Sequence, residues 1–134
     1  MAMLFSALSV TDGTLIDAEN NIAIGDQTMK ACTTCYSNIA IGGQALSTAI
    51  TGHRHNTAIG QNSMRLAVGN EAAGEANFNV GVGNYTLEYL TTGNSNVAIG
   101  AQAIAYPTNL DYNITGTGNA AVGLKAFLKA ARDL

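Results

Sequence analysis

One motif, written six times, governs what this chain can fold into. It reads NIAIGDQTM at 21–29, NIAIGGQAL at 38–46 and NTAIGQNSM at 56–64, then NVGVGNYTL at 79–87, NVAIGAQAI at 96–104 and NAAVGLKAF at 119–127. Each copy has Asn, a variable residue, Ala or Gly, Ile or Val, then Gly, with a large apolar residue four positions past the glycine. The asparagines are Asn21, Asn38, Asn56, Asn79, Asn96 and Asn119, the β-branched residues Ile24, Ile41, Ile59, Val82, Ile99 and Val122, and the glycines Gly25, Gly42, Gly60, Gly83, Gly100 and Gly123. Successive glycines lie 17, 18, 23, 17 and 23 residues apart, so length varies between motifs and never inside one. A repeat protein tolerates change in this way, with a fixed stacked core and loops of varying length.

The packet before each glycine is too short for a helix and rich in β-branched residues, which predicts a strand of about four residues. Strand side chains alternate, so Ile39 and Ile41 share one face and Ala40 takes the other. The residue just before glycine is expected to carry the inner layer. Ala40, Ala58, Gly81 and Ala98 would leave room for another layer or chain. Glycine permits a sharp change of direction. Beyond it, Met29, Leu46, Met64, Leu87, Ile104 and Phe127, with partners such as Leu90 three residues after Leu87, predict a turn or two of helix packed on the strands. Asn suits a turn, because its side chain bonds nearby backbone, and stacked repeats would set the six asparagines in a ladder. The expected fold is mainly β: a parallel β-roll or β-solenoid with short helical turns, assembled as an elongated parallel homotrimer. Its parts are a cap or docking segment at 1–19, the six-copy repeat at 20–123 and an amphipathic helical cap at 124–134.

Composition supports association. Charged residues are 11% and aromatics 6%, with no Trp, so a single chain has few bulky groups for a core. Apolar burial at about 25 cal/mol per Å² barely exceeds an ordering cost of roughly 1.5 kcal/mol per residue, so contact with identical chains would supply the missing burial. The net charge of −3 gives no reason to expect nucleic acid as a partner. No apolar run approaches the roughly 20 residues needed to span a bilayer, and MAMLFSALSV has no basic residue before its apolar stretch, so neither membrane insertion nor a secretory signal is expected.

The recurring Asn-x-Ala-Ile-Gly with intervening Thr-Thr-Gly resembles the head repeat of trimeric autotransporter adhesins and, still more, related repeats of phage tail fibres, over residues 20–127. The resemblance implies a homotrimer elongated along a threefold axis that touches other cells' surfaces, with no catalytic residues. These repeats are longer than the adhesin head repeat, and the chain shows no export signal, heptad stalk or membrane anchor. It therefore reads as a tail fibre or tail-associated protein of a virion, made in the host cytoplasm and bound to other virion proteins through its termini. The alternatives are a purely structural or decoration protein of a virion and a bacterial surface adhesin head.

Few residues suggest more. The scattered acids form no pair suited to glycoside cleavage, so no enzyme and no cofactor is expected. Cys32 and Cys35 form CTTC, open to incidental thiols, a disulfide or half a metal site. His53 and His55 flank Arg54. In an extended segment they face the same way, so three chains could offer six imidazoles to an axial transition metal, although a solvated loop is the plainer reading. Leu124, Phe127, Leu128 and Ala131 share a helical face near the C-terminus. Loops 51–55, 65–78 and 105–118 are expected to meet a host glycan or protein, with Tyr106 and Tyr112 able to stack on sugars.

Overall fold

The computed structural model describes residues 20–48, 52–67, 76–105 and 116–126. Within them each motif forms one short strand: β1 (Ile22–Ile24), β2 (Ile39–Ile41), β3 (Thr57–Ile59), β4 (Val80–Val82), β5 (Val97–Ile99) and β6 (Ala120–Val122). The six make one parallel sheet in sequence order. Its register is that of the motif, with Ala23, Ala40, Ala58, Gly81, Ala98 and Ala121 on one row. The longer spacings before β4 and β6 leave this pairing intact, because their extra residues fall in the connections.

The segment after each glycine is not helical, and no helix occurs among the described residues. The expected helical turns give way to a backbone that reverses hand at alternate residues. Two positions past each motif glycine stand Gln27, Gln44, Asn62, Tyr85, Gln102 and Lys125, all near φ +55°, from 53° to 60°. Four past it stand Met29, Leu46, Met64, Leu87 and Ile104, with φ between 46° and 50°. A right-handed helix cannot contain such residues, and for β-branched Ile104 the conformation is a true outlier. The i, i+3 apolar spacing that suggested a helix instead marks residues that a tight coil points inward. Of the expected helical cap, only Leu124–Ala126 is described, in a turn; the rest, Phe127 included, and the segment 1–19 lie outside the described residues.

These corners let repeats bond to each other on a second line, away from the strands. Leu46 N–H donates to the Ser63 carbonyl (3.1 Å), Met64 N–H to Thr86 (2.8 Å), Leu66 N–H to Glu88 (2.8 Å) and Ile104 N–H to Ala126 (2.8 Å). Every copy thus repeats its neighbour's trace at hydrogen-bonding distance both along the strand and beyond the corner. At Gly60, with φ +129°, a Cβ would lie 2.5 Å from the Gly83 carbonyl oxygen, so the repeats close up only if that position carries no side chain.

The core is narrow. Ala40, Ala58, Ala98 and Ala121 from the strands meet Leu46, Met64, Leu87 and Ile104 from the corners, with Met29, Leu90, Ala45 and Ala103 between. The sheet faces are therefore the reverse of the expectation. The residue before glycine is not the inner layer of the chain: Ile24 is 42%, Ile99 40% and Val122 72% exposed, while the small middle residue is buried. The space between strand and corner is already filled by long corner side chains, so only Ala or Gly fits beneath the sheet.

Candidate functional site

The six asparagines form a continuous ladder from repeat to repeat. Asn38 donates its backbone N–H (3.0 Å) and its Nδ2 (3.1 Å) to Oδ1 of Asn21. Asn56 does the same to Asn38, Asn79 to Asn56, Asn96 to Asn79 and Asn119 to Asn96, at 2.9–3.2 Å throughout. In the five copies from Asn21 to Asn96, Nδ2 also donates to the carbonyl three residues before the next asparagine: Cys35, His53, Ala76, Gly93 and Gly116 receive Asn21, Asn38, Asn56, Asn79 and Asn96. Each amide is thus used on both sides, and Asn38, Asn56, Asn79 and Asn96 are essentially fully buried. Only a carboxamide supplies two donors and a two-lone-pair acceptor at this reach, which explains why the motif always begins with Asn.

This register relocates the histidines. His53 belongs to the column of Cys35, Ala76, Gly93 and Gly116 and is wholly buried. Burial lowers its pKa to about 4, with a hydrogen bond to the Ala76 backbone acting in the opposite direction. His55 lies outside, because its φ of +56° is not that of an extended residue, and its ring stacks on Phe78. The two imidazoles of one chain therefore do not share a face. No group of three or more His, Cys, Asp or Glu side chains suited to a metal occurs among the described residues. Cys32 and Cys35, for which three states were open, are joined in a disulfide in the connection between β1 and β2. Counting three back from each asparagine would have exposed the buried column; the His-x-His spacing drew attention away from it.

On the more exposed face of the sheet, two columns of β-branched and other small-to-medium side chains run from strand to strand. One is Ile22, Ile39, Thr57, Val80, Val97 and Ala120; the other is Ile24, Ile41, Ile59, Val82, Ile99 and Val122. Neighbours in a column half-cover each other, and among the described residues Ile22, Ile24, Ile99 and Val122 are exposed outright. An aliphatic face of this kind on a sheet is a candidate contact surface. It carries no charged residue.

A second row precedes the asparagines. Tyr36, Arg54, Asn77, Asn94 and Thr117 stand two residues before them, and Ser37, His55, Phe78, Ser95 and Gly118 one before, the latter all left-handed. Tyr106 and Tyr112, the expected sugar-stacking pair, lie outside the described residues. Of the expected contact loops, residues 52–55, 65–67, 76–78, 105 and 116–118 are described. No helix among the described residues is long and apolar enough to cross a membrane. No protein-family model, curated protein or solved structure matches the chain.

Proposed function

We propose that this chain is the repeat segment of a non-enzymatic, homotrimeric fibre of a phage virion, in which three parallel β-solenoids display loops toward a host surface. The observation that carries the reading is the uncovered aliphatic face of the sheet. Ile39, Ile41, Ile59, Val80, Val82 and Val97 stand in two columns with no charge among them. Parallel identical chains around a threefold axis bring equal rungs to equal heights, so each Ile or Val meets its own counterparts. Burial of that face supplies the association energy that a slender coil lacks.

The asparagine ladder supports the same reading. It fixes the rise and register of every repeat without needing a wide core, which suits a rod that must stay straight over its length. On the resemblance to tail-fibre repeats, the loops would meet a receptor and the termini would join other virion proteins. Sedimentation and light scattering test the assembly. The expected mass is about three times the 13.8 kDa protomer, and Ile41→Asp with Val82→Asp should reduce it to one. A wild-type chain that melts cooperatively as a monomer at dilute concentration refutes the reading. Binding to host cells, lost on receptor-loop exchange with assembly intact, tests the recognition role.

A further inference from the structure

The row before the asparagines holds a compact group that the ladder and the sheet do not use. Arg54 lies over the Tyr36 ring, with its guanidinium carbon 4.5 Å from the centroid. On the adjoining column His55 and Phe78 stack with centroids 4.9 Å apart and planes 13° from parallel. The two stacks are tied through the backbone: Phe78 N–H donates to the Arg54 carbonyl (3.1 Å) and His55 N–H to the Tyr36 carbonyl (3.2 Å). Arg54 N–H is held in turn by Asn77 Oδ1 (2.9 Å). The group is thus placed on rigid backbone rather than on a floppy loop.

Three features of the group point outward. Phe78 is 59% exposed, a large uncovered aromatic in a chain with few of them. On its far side the next residue of the column is Ser95, too small to cover the ring, so among the described residues one face of Phe78 is stacked on His55 and the other is open. Arg54 has no carboxylate partner among the described residues, where Arg65–Glu88 is the ion pair, and its buried Nε lacks a hydrogen-bond acceptor there. A buried guanidinium Nε without an acceptor is costly, and the remaining edge of this part-exposed group can bond an anion.

We propose that Tyr36, Arg54, His55 and Phe78 form a binding site for an acidic sugar. The apolar C–H face of a pyranose covers the open face of Phe78, and its carboxylate takes the free edge of Arg54, with His55 and Tyr36 holding both in place. A single carboxylate matches the single guanidinium. A polyphosphate chain does not, because the protein carries a net charge of −3 and has no line of basic residues beside the patch. The site deepens the host-recognition reading, but it lies within one chain and does not require the trimer.

The test uses the full-length chain with 3′-sialyllactose as probe and lactose as the neutral control, read by NMR line broadening and calorimetry. The substitutions follow the protein's own repeats. Phe78→Ser copies Ser37 and Ser95, and Arg54→Asn copies Asn77 and Asn94, so both suit the local backbone; circular dichroism melts check that each folds. Expected are millimolar binding of sialyllactose, binding at least tenfold weaker for lactose, and a tenfold or greater loss in Phe78→Ser for both sugars. Arg54→Asn should bring the two sugars to equal affinity, and added salt should do the same. No binding by the wild type at 10 mM probe, unchanged binding in both variants, or tighter capture of a single-stranded oligonucleotide through the same residues overturns the assignment. A monomeric chain that still binds through Phe78 keeps this site and removes the trimer; a trimer that ignores both sugars does the converse.

Discussion

Replacing Asn79 with Ala removes the centre of the ladder, and the structure sets the size of the effect. The side chain donates Nδ2 to Asn56 Oδ1 (3.2 Å) and to the Gly93 carbonyl (2.9 Å), and accepts the backbone N–H (2.9 Å) and Nδ2 (3.1 Å) of Asn96. The Asn79 backbone N–H keeps its own bond to Asn56. Truncation therefore strands two buried backbone groups, the Asn96 N–H and the Gly93 carbonyl. At about 1–3 kcal/mol for each unsatisfied group, the expected loss is about 4 kcal/mol. Asn84 supplies the control. Its Oδ1 accepts the Gln61 N–H (3.0 Å) at the surface, where water can replace it, so Asn84→Ala should cost under about 1 kcal/mol. Asn79→Asp separates hydrogen bonding from volume. An oxygen in place of Nδ2 would face Asn56 Oδ1 and the Gly93 carbonyl, so the folded state favours the protonated acid and raises its pKa. Its stability is then present below the ordinary carboxylate range and lost as pH rises. Urea melts followed by circular dichroism, at fixed protomer concentration because assembly shifts the midpoint, read all three variants. The reasoning fails if Asn79→Ala matches Asn84→Ala, or if Asn79→Asp gains nothing on acidification.

Other consequences follow from the same geometry. His53 is buried with a pKa lowered from 6.5 to about 4, so the unfolded chain binds more protons between those values. Stability should fall by about 3 kcal/mol as pH drops through that window, and His53→Ala, which copies Ala76, should flatten this part of a pH series of urea melts. A methyl at Gly60 has no room beside the Gly83 carbonyl, so Gly60→Ala should cost several kcal/mol or abolish folding, seen as loss of a cooperative thermal transition. Gly81 is the one strand centre that is not Ala. A Cβ there would lie 2.8 Å from Ser63 Oγ and 2.9 Å from Thr86 Oγ1, two hydroxyls that bond each other at 2.8 Å. Gly81→Ala should cost about 1–3 kcal/mol by overpacking, and Thr86→Ala, which copies Ala45 and Ala103, should recover much of that loss in a double-mutant cycle.

The strands and their order were legible because the motif is short, repeated and free of insertions; once Asn38 is laid over Asn56, the register of β2 on β3 follows. The ladder was legible too, since Asn at one invariant position in stacked repeats leaves its amide facing the next. The corners were not. Spacing alone cannot distinguish Leu87 and Leu90 on a helix from the same residues at a left-handed bend, where φ is +47° at Leu87. Propensity argues against Ile104 in that conformation, and only the inter-repeat hydrogen bonds of the stacked coil hold it there. The aromatic and basic group at Tyr36, Arg54, His55 and Phe78 escaped notice because its members lie on three different repeats, and only stacking makes them neighbours.

The reversal of the sheet faces carries the most weight for function. Alternation along Ile39-Ala40-Ile41 says that the two isoleucines share a face, but a strand of three residues does not say which face is covered. Bulk hydrophobicity argues that the isoleucines go inward. The coil cannot follow that argument, because Leu46, Met64 and Leu87 already occupy the interior and leave only the width of Ala40, Ala58 or Gly81 beneath the sheet. The larger aliphatics are therefore placed outside by packing, at a cost in exposed apolar surface that recurs at each repeat. A random outward scatter of such residues would mean little. Two uninterrupted columns, uncharged and in register from β1 to β6, concentrate the exposure on one strip, and the proposed association of identical chains rests on covering that strip.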